Sequence, residues 1–270
     1  MAPCLEIIVL TLFPEMFTGI LNESILKRAI ADGQLSVRLV NFRDFANDKH
    51  KTVDDYPFGG GAGMLLKPAP LFEAIRHIQS ESSGPAGRVV LMTPQGKPFT
   101  QKLAQDFAQE SRLVLVCGHY EGFDERVRQE LVTDEVSIGD FVLTGGEIPA
   151  MAVIDAVARL LPGVLGNEES AEDDSYTSGL LEYPQYTRPA VYEGLAVPDV
   201  LLSGNHKRIA EWRHVHALYR TWVRRPDLLR TYAMSEKDKE YISRWERGDF
   251  KDIDVFDRYH ELKRVSDPID

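Results

Sequence analysis

The sequence predicts an α/β fold: a mostly parallel sheet covered by helices on both faces, followed by a small helical domain. Three observations carry this. Apolar runs such as VVLM at 89–92 and LVLVC at 113–117 show no polar alternation, as strands buried on both faces require. Through the first 165 residues such runs alternate with amphipathic stretches of helical period. After Leu165 the character changes, because GNEESAEDDS at 166–175 holds five acids and no base, and only helical patterns follow.

Taken in order, the candidate strands are 6–12, 36–41, 88–93, 113–118 and a short one at 135–138. Helical patterns occupy 14–32, 69–81, 101–110 and 149–161. Each later strand ends in a loop rich in Gly, Pro and polar groups: TPQGKP, GHYEGF and IGDFVLTGGE. Open parallel sheets bind ligands outside the carboxyl ends of their strands, so these loops are the first candidates for a site. Residues 166–176 have little to bury and read as an exposed, mobile acidic linker. Pro184, Pro189 and Pro198 then break 178–198 into extended chain. A helix is predicted from the cap Asn205 to Arg225, before Pro226. Patterns at 236–247 and 250–264 complete the C-terminal helical domain, giving a division into 1–165, the linker 166–176, and 177–270.

Composition removes several function classes. The N-terminus MAPCLEIIVLTLF lacks a basic leader and is interrupted by Glu6, unlike a secretory signal. The longest apolar stretch, 148–165, contains Asp155, Arg159 and two prolines, which opposes a membrane span. Cys4 and Cys117 alone give neither a disulfide framework nor zinc spacing. A cytoplasmic protein with no membrane partner is expected. The net charge of −11 opposes nucleic-acid binding only as a sum, since phosphate contacts need local bases. Residues 201–232 hold seven Lys and Arg against Glu211 and Asp227, a local net of +5.

Several motifs bear on chemistry. The run FGGGAGM at 58–64 has no preceding strand, so it is not a dinucleotide loop. It fits either a surface loop or a backbone lying close against a ligand. CGHYEGF at 117–123 follows a buried-looking strand, and its glycines suit either a plain strand-exit turn or a cofactor loop. SIGDFVLTGGE at 137–147 is more telling. The trio Phe141-Val142-Leu143 sits between glycine turns, and apolar side chains beside exposed backbone groups suit an adenine ring, the plain alternative being an ordinary helix-entry loop. Arg159, near the end of an apolar helix, reads as dipole compensation, and Asp174 as one more solvated charge. On the helix from 206 to 225, Trp212, Val215, Leu218, Tyr219, Trp222 and Val223 form one packing arc. Arg213, Arg220 and Arg224 form a stripe opposite, and with His206 and Lys207 at the helix start they suit phosphate contacts.

Together these motifs closely resemble bacterial tRNA (guanine-N1)-methyltransferases. The matching blocks, in order from 11 to 229, include TLFPEMF, TVDDYPFGGGAGM, TPQG, CGHYEGFDERV, SIGDFVLTGGEIPAM, PGVLG, DDSY, YPQYTRP and RTWVRRPDLL. The resemblance implies the SPOUT methyltransferase fold, whose C-terminal part is tied into a deep trefoil knot. It implies S-adenosylmethionine bound by Thr93, Pro94, Gly118, Tyr120, Glu121, Ile138, Gly139, Asp140, Phe141, Val142 and Leu143, with Gly145 and Gly146 close by. It also implies a homodimer with the active site between subunits, bridged by tRNA. By motif position Asp174 is the general base and Arg159 the arginine that stabilises guanine O6. A Mg²⁺ requirement is implied too, but no cluster has metal-ligand spacing, so no metal ligand is assigned. His119 stands where some members carry Arg.

The chemistry agrees with these roles. Guanine N1 is protonated at neutral pH and becomes a nucleophile when a carboxylate accepts that proton. Charge then develops on O6, where a fixed guanidinium stabilises it. Three rivals are a SPOUT-type enzyme acting on rRNA or a ribose 2′-oxygen, a non-catalytic RNA-binding module, and an unrelated nucleotide-binding α/β protein, which the ordered motif set opposes. Ribose methylation needs no N1 deprotonation, so Asp174 with Arg159 opposes the first, and the intact SIGDFVLTGGE loop opposes the second.

Overall fold

A computed structural model describes residues 4–81, 87–165 and 175–255. Five strands, β1 (Leu5–Thr11), β2 (Leu35–Asn41), β3 (Arg88–Pro98), β4 (Arg112–Cys117) and β5 (Asp134–Ser137), form one sheet in the order β2-β1-β4-β3-β5. Every pairing in it is parallel. The apolar runs have the predicted cause. Leu5, Ile7, Val9, Leu113 and Leu115 feed one core, while Ile8, Leu10, Val114 and Val116 feed another. Successive side chains point to opposite faces, so a strand covered on both sides must be apolar throughout.

Helices α1 (Ser24–Ala31), α3 (Gln101–Ala108) and α5 (Glu147–Ala158) cover the first core; α2 (Pro68–Ser80) and α4 (Glu125–Leu131) cover the second. Two expectations for this part need correction. The helix predicted over 14–32 is broken into a 3-10 turn, a short helix Thr18–Leu21, and α1. Asn22 caps the short helix through Nδ2, which donates to the Thr18 carbonyl at 2.8 Å, and Glu23 turns extended. Helix α4 was not predicted. Its start is set by Asp124, whose carboxylate accepts from the Arg126 backbone N–H at 3.0 Å.

The chain divides into two compact units, Met1–Glu168 and Glu169–Asp270. The second centres on α6 (His206–Arg224) packed with α7 (Glu236–Glu246) through Leu218, Tyr219, Tyr241 and Trp245. Ser235 opens α7 with a reciprocal capping box to Asp238. A small hairpin, Val191–Tyr192 with Leu195–Ala196, interrupts the segment expected to be extended. Ser175 and Tyr176, expected in the linker, are fastened into this unit: Ser175 Oγ accepts from Glu182 N and Tyr176 N donates to Leu180 O. The rest of the linker, 166–174, lies outside the described residues.

Two expectations fail in this unit. The buried face of α6 is wider than the predicted arc and includes His216, Ala217 and Thr221. The cause is the segment around Leu181, whose N–H donates to Thr221 Oγ1 at 2.8 Å and covers a second side of the helix. The helix predicted over 250–264 does not form in its described part, where residues 251–252 make a turn and 254–255 a bend. Gly248, at φ +83, ends α7, and Asp249 takes Arg244 Nε at 3.0 Å and accepts from Lys251 N. Residues 256–264 lie outside the described part.

Candidate active site

The strand order puts the carboxyl ends of β4, β3 and β5 side by side, so the three predicted loops meet. The first is pushed out of the sheet. Val136 of β5 pairs with both Met92 and Lys97 of β3, so residues 93–96 loop away between them. Arg128 of α4 pins this loop, donating to Gln95 Oε1 at 2.7 Å while also pairing with Glu135.

The second loop, after β4, is held from outside by the glycine run. Glu121 N donates to Met64 O at 3.0 Å, and Leu66 N to Gly122 O at 2.9 Å. A Cβ on Gly63 would fall 2.3 Å from Glu121 Cγ. Of the two readings open for FGGGAGM, close approach holds at Gly63, although its partner is this loop, while Phe58 and Gly59 to Gly61 stay exposed. The third loop is closed by Ser137, whose Oγ donates to the Gly139 carbonyl at 3.0 Å, and it returns so that Gly146 N donates to Gly118 O at 2.9 Å.

The loops enclose a cavity of about 450 Å³, within the roughly 300–1,000 Å³ typical of small-molecule sites. Thr93, Pro94, Gly118, Tyr120, Glu121, Ile138, Gly139, Phe141, Val142, Leu143, Gly145 and Gly146 all line it. Asp140 does not. It is exposed at a tight turn in which Phe141 N donates to Gly139 O. Gln95, Glu125 and Arg128 also line the cavity and were missed. Glu125 and Arg128 sit on the unpredicted α4; Gln95 stood within TPQG but was not singled out. Cys117 lies beneath the loops, and burial, aided by the Glu147 carboxylate, pushes its thiol well above the ordinary range. It is no candidate nucleophile.

The two charged residues behave differently. Arg159 is exposed and caps the carboxyl end of α5, whose first residues adjoin the cavity. The 12 residues of α5 separate them by roughly 18 Å at 1.5 Å per residue. Within one chain the cavity and Arg159 are therefore not brought together. Asp174 lies outside the described residues. Among the described residues no group of three or more His, Cys, Asp or Glu could hold a metal ion.

In the second unit, His206 and Lys207 are exposed on the first turn of α6, whose cap Asn205 accepts from Arg208 N at 3.2 Å. The arginine stripe is not uniform. Arg213 is exposed and stands 4.9 Å over the Tyr183 ring, beside a second cleft of about 400 Å³. Arg224 is exposed. Arg220, expected to share the phosphate-contacting stripe, is instead partly buried and donates to the Glu182 carbonyl at 3.1 Å.

No helix among the described residues is long and apolar enough to cross a membrane. The sequence model of a family described as "tRNA (Guanine-1)-methyltransferase TrmD" matches residues 5–231. Similar proteins include one from Anoxybacillus flavithermus, 61% identical over 91% of this chain and 100% of its own length. One from Geobacillus kaustophilus is 60% identical over 90% and 99%, and one from Bacillus subtilis 56% over 88% and 98%. All three are named tRNA (guanine-N(1)-)-methyltransferase. On the match to the family model and on these identities, the chain belongs to the tRNA (guanine-1)-methyltransferase family.

Proposed function

We propose that this protein transfers a methyl group from S-adenosylmethionine to N1 of guanosine 37 in tRNA, beside the anticodon. The observation that carries the reading is the loop-built cavity at the ends of three neighbouring parallel strands, in a chain of this family. The cavity suits the cofactor: Ile138, Val142 and Leu143 offer an apolar slot, and the loop backbones offer edge hydrogen bonds for adenine. The reading includes the deep trefoil knot, which is supported by the return of the chain after β5 to Gly118 before it enters α5.

When bound, the cofactor supplies an electrophilic methyl group on a sulfonium. The protein supplies everything else. Asp174 accepts the N1 proton, and the guanidinium of Arg159 stabilises the negative charge left on O6. Asp174 would keep the proton displaced from N1 as the methyl group is transferred from the sulfonium, which would leave as a neutral thioether. Holding both substrates in line contributes much of the acceleration. Because Arg159 stands roughly 18 Å along α5 from its own cavity, it serves the cavity of a second copy, so the active unit is a homodimer. Among the described residues no group of three or more His, Cys, Asp or Glu could hold Mg²⁺.

His206, Lys207, Arg213 and Arg224 contact the tRNA backbone, and Arg220 contributes by holding the segment at Glu182. A tRNA substrate fits a cytoplasmic location. The test is methyl incorporation into a tRNA transcript and into the same transcript with guanosine 37 replaced by adenosine. Incorporation into the first alone is expected. Incorporation that survives replacement overturns the position, and none in either overturns the activity.

A further inference from the structure

Behind the cavity wall lies a buried carboxylate that the methyl transfer does not use. Glu147, the first residue of α5, is only 1% exposed. Its Oε1 accepts from Thr11 Oγ1 at 2.6 Å, and its Oε2 lies 2.7 Å from His119 Nε2. Facing a carboxylate that only accepts, His119 carries its hydrogen on Nε2. Thr11, fully buried at the end of β1, accepts in turn from Phe13 N at 2.9 Å. The Phe13 ring packs edge-on against His119 with centroids 4.6 Å apart.

One carboxylate therefore joins three chain segments distant in sequence: the end of β1, the loop after β4, and the loop entering α5. The last two are walls of the cavity. The junction is tight. A Cβ on Gly145 would fall 2.3 Å from His119 Cε1 and 2.6 Å from Glu147 Oε2. A buried charge of this kind is tolerated only when its hydrogen bonds are made, so the network favours one spacing of the two loops.

We propose that Glu147 is a positioning residue: through Thr11 and His119 it fixes the separation of the two cofactor-facing loops, and thereby the affinity for the methyl donor. This rests on the reading that the cavity takes S-adenosylmethionine. Glu147 touches neither substrate. Its effect falls on cofactor binding and leaves tRNA binding alone.

The experiment measures KM for S-adenosylmethionine and for tRNA, with kcat, in four full-length variants. Glu147→Ala leaves the buried Thr11 donor and the half-buried His119 donor unmet and should raise the cofactor KM about tenfold. Thr11→Val, which keeps the shape, should raise it about threefold. Glu147→Gln keeps the acceptor for Thr11 and can donate to His119 after a tautomer change, so it should stay within about threefold of wild type. The tRNA KM should not move in any of these. The proposal is overturned if Glu147→Ala or Thr11→Val keeps the wild-type cofactor KM. It is equally overturned if Glu147→Gln is as impaired as Glu147→Ala, or if the tRNA KM rises in step. Should Glu147→Ala fail to fold, the two volume-conserving variants decide alone. Ile138→Trp, which fills the cavity, tests the underlying reading. If it leaves the cofactor KM unchanged, the cavity is not the cofactor site, whatever the network variants do.

Discussion

The two ends of α5 differ in nearly every respect. At its amino end Glu147 is buried, doubly hydrogen-bonded and set behind loops that line a cavity. At its carboxyl end Arg159 is exposed. One end is finished within a single chain, whereas the other acquires its proposed role only against a second copy. In the proposed reading, loop backbone forms the cofactor side, and charged side chains from elsewhere supply the guanine side. Such an arrangement lets the cofactor bind before the catalytic groups are assembled on the correct RNA.

The largest expected effect is on the guanine side. Asp174→Ala should lower the single-turnover rate by about 10²–10⁴-fold, while calorimetry shows near-normal cofactor affinity. A near-wild-type rate would remove Asp174 from its role. Arg159→Ala should cost about 10²–10³-fold, and here the contrast between the helix ends becomes a test. Mixing Arg159→Ala with Ile138→Trp subunits creates dimers in which one cavity is intact and faces an intact arginine. Random exchange should restore about a quarter of wild-type activity, as expected for a symmetric dimer with sites between subunits. If the two variants stay dead when mixed, Arg159 acts within its own chain, and the contrast drawn here collapses.

A weaker version of the same contrast runs along α6. Arg213 and Arg224 are exposed, whereas Arg220 is committed to the Glu182 carbonyl. Replacing Arg213 or Arg224 by Ala should reduce the salt dependence of tRNA binding by about one unit of slope each. Arg220→Ala should instead lower the melting temperature of the second unit. Equal slopes for all three variants would restore the uniform stripe.

The sheet was legible because burial on two faces leaves an unmistakable record: no strand core from Val89 to Met92 or Leu113 to Cys117 carries a polar residue. The loops after those strands could be placed but not given a role, since their glycines suit a plain strand-exit turn as well as a ligand loop. What escaped was set by side chains acting across the fold. Helix α4 is short and opens on a charged run, so its period is weak, and Arg128 was lost with it. The 14–32 helix was overextended because Asn22, which ends its first part through a local hydrogen bond, looks like any surface residue. Glu147 ends the motif SIGDFVLTGGE, but no periodicity reveals that its partners come from residues 11 and 119. Arg159 and Asp174 were lifted from their ordinary readings by family resemblance alone.

A buried histidine should make the second unit sensitive to acid. His216 is buried, with Nδ1 donating to the Trp212 carbonyl at 3.0 Å and Nε2 facing Asp254 at 2.9 Å. Burial holds its pKa below the usual 6.5, outweighing the help of the Trp212 carbonyl and Asp254, while Arg220 adds to the lowering. The unfolded chain therefore binds this proton at higher pH than the folded one does. Stability from this group is fully present above pH 6.5 and declines as pH falls below it toward the folded value. Asp238 titrates elsewhere. Burial works to raise it, but hydrogen bonds from His214 and Ser235 hold it below 3.8, so its contribution is lost only in stronger acid. All three tryptophans, Trp212, Trp222 and Trp245, lie in the second unit, so their fluorescence reports its unfolding alone. Between pH 7.5 and 5.0 the wild-type transition should shift downward by more than that of His216→Phe, which keeps the stack on Trp212. Identical shifts would mean that His216 does not set the acid sensitivity of this unit.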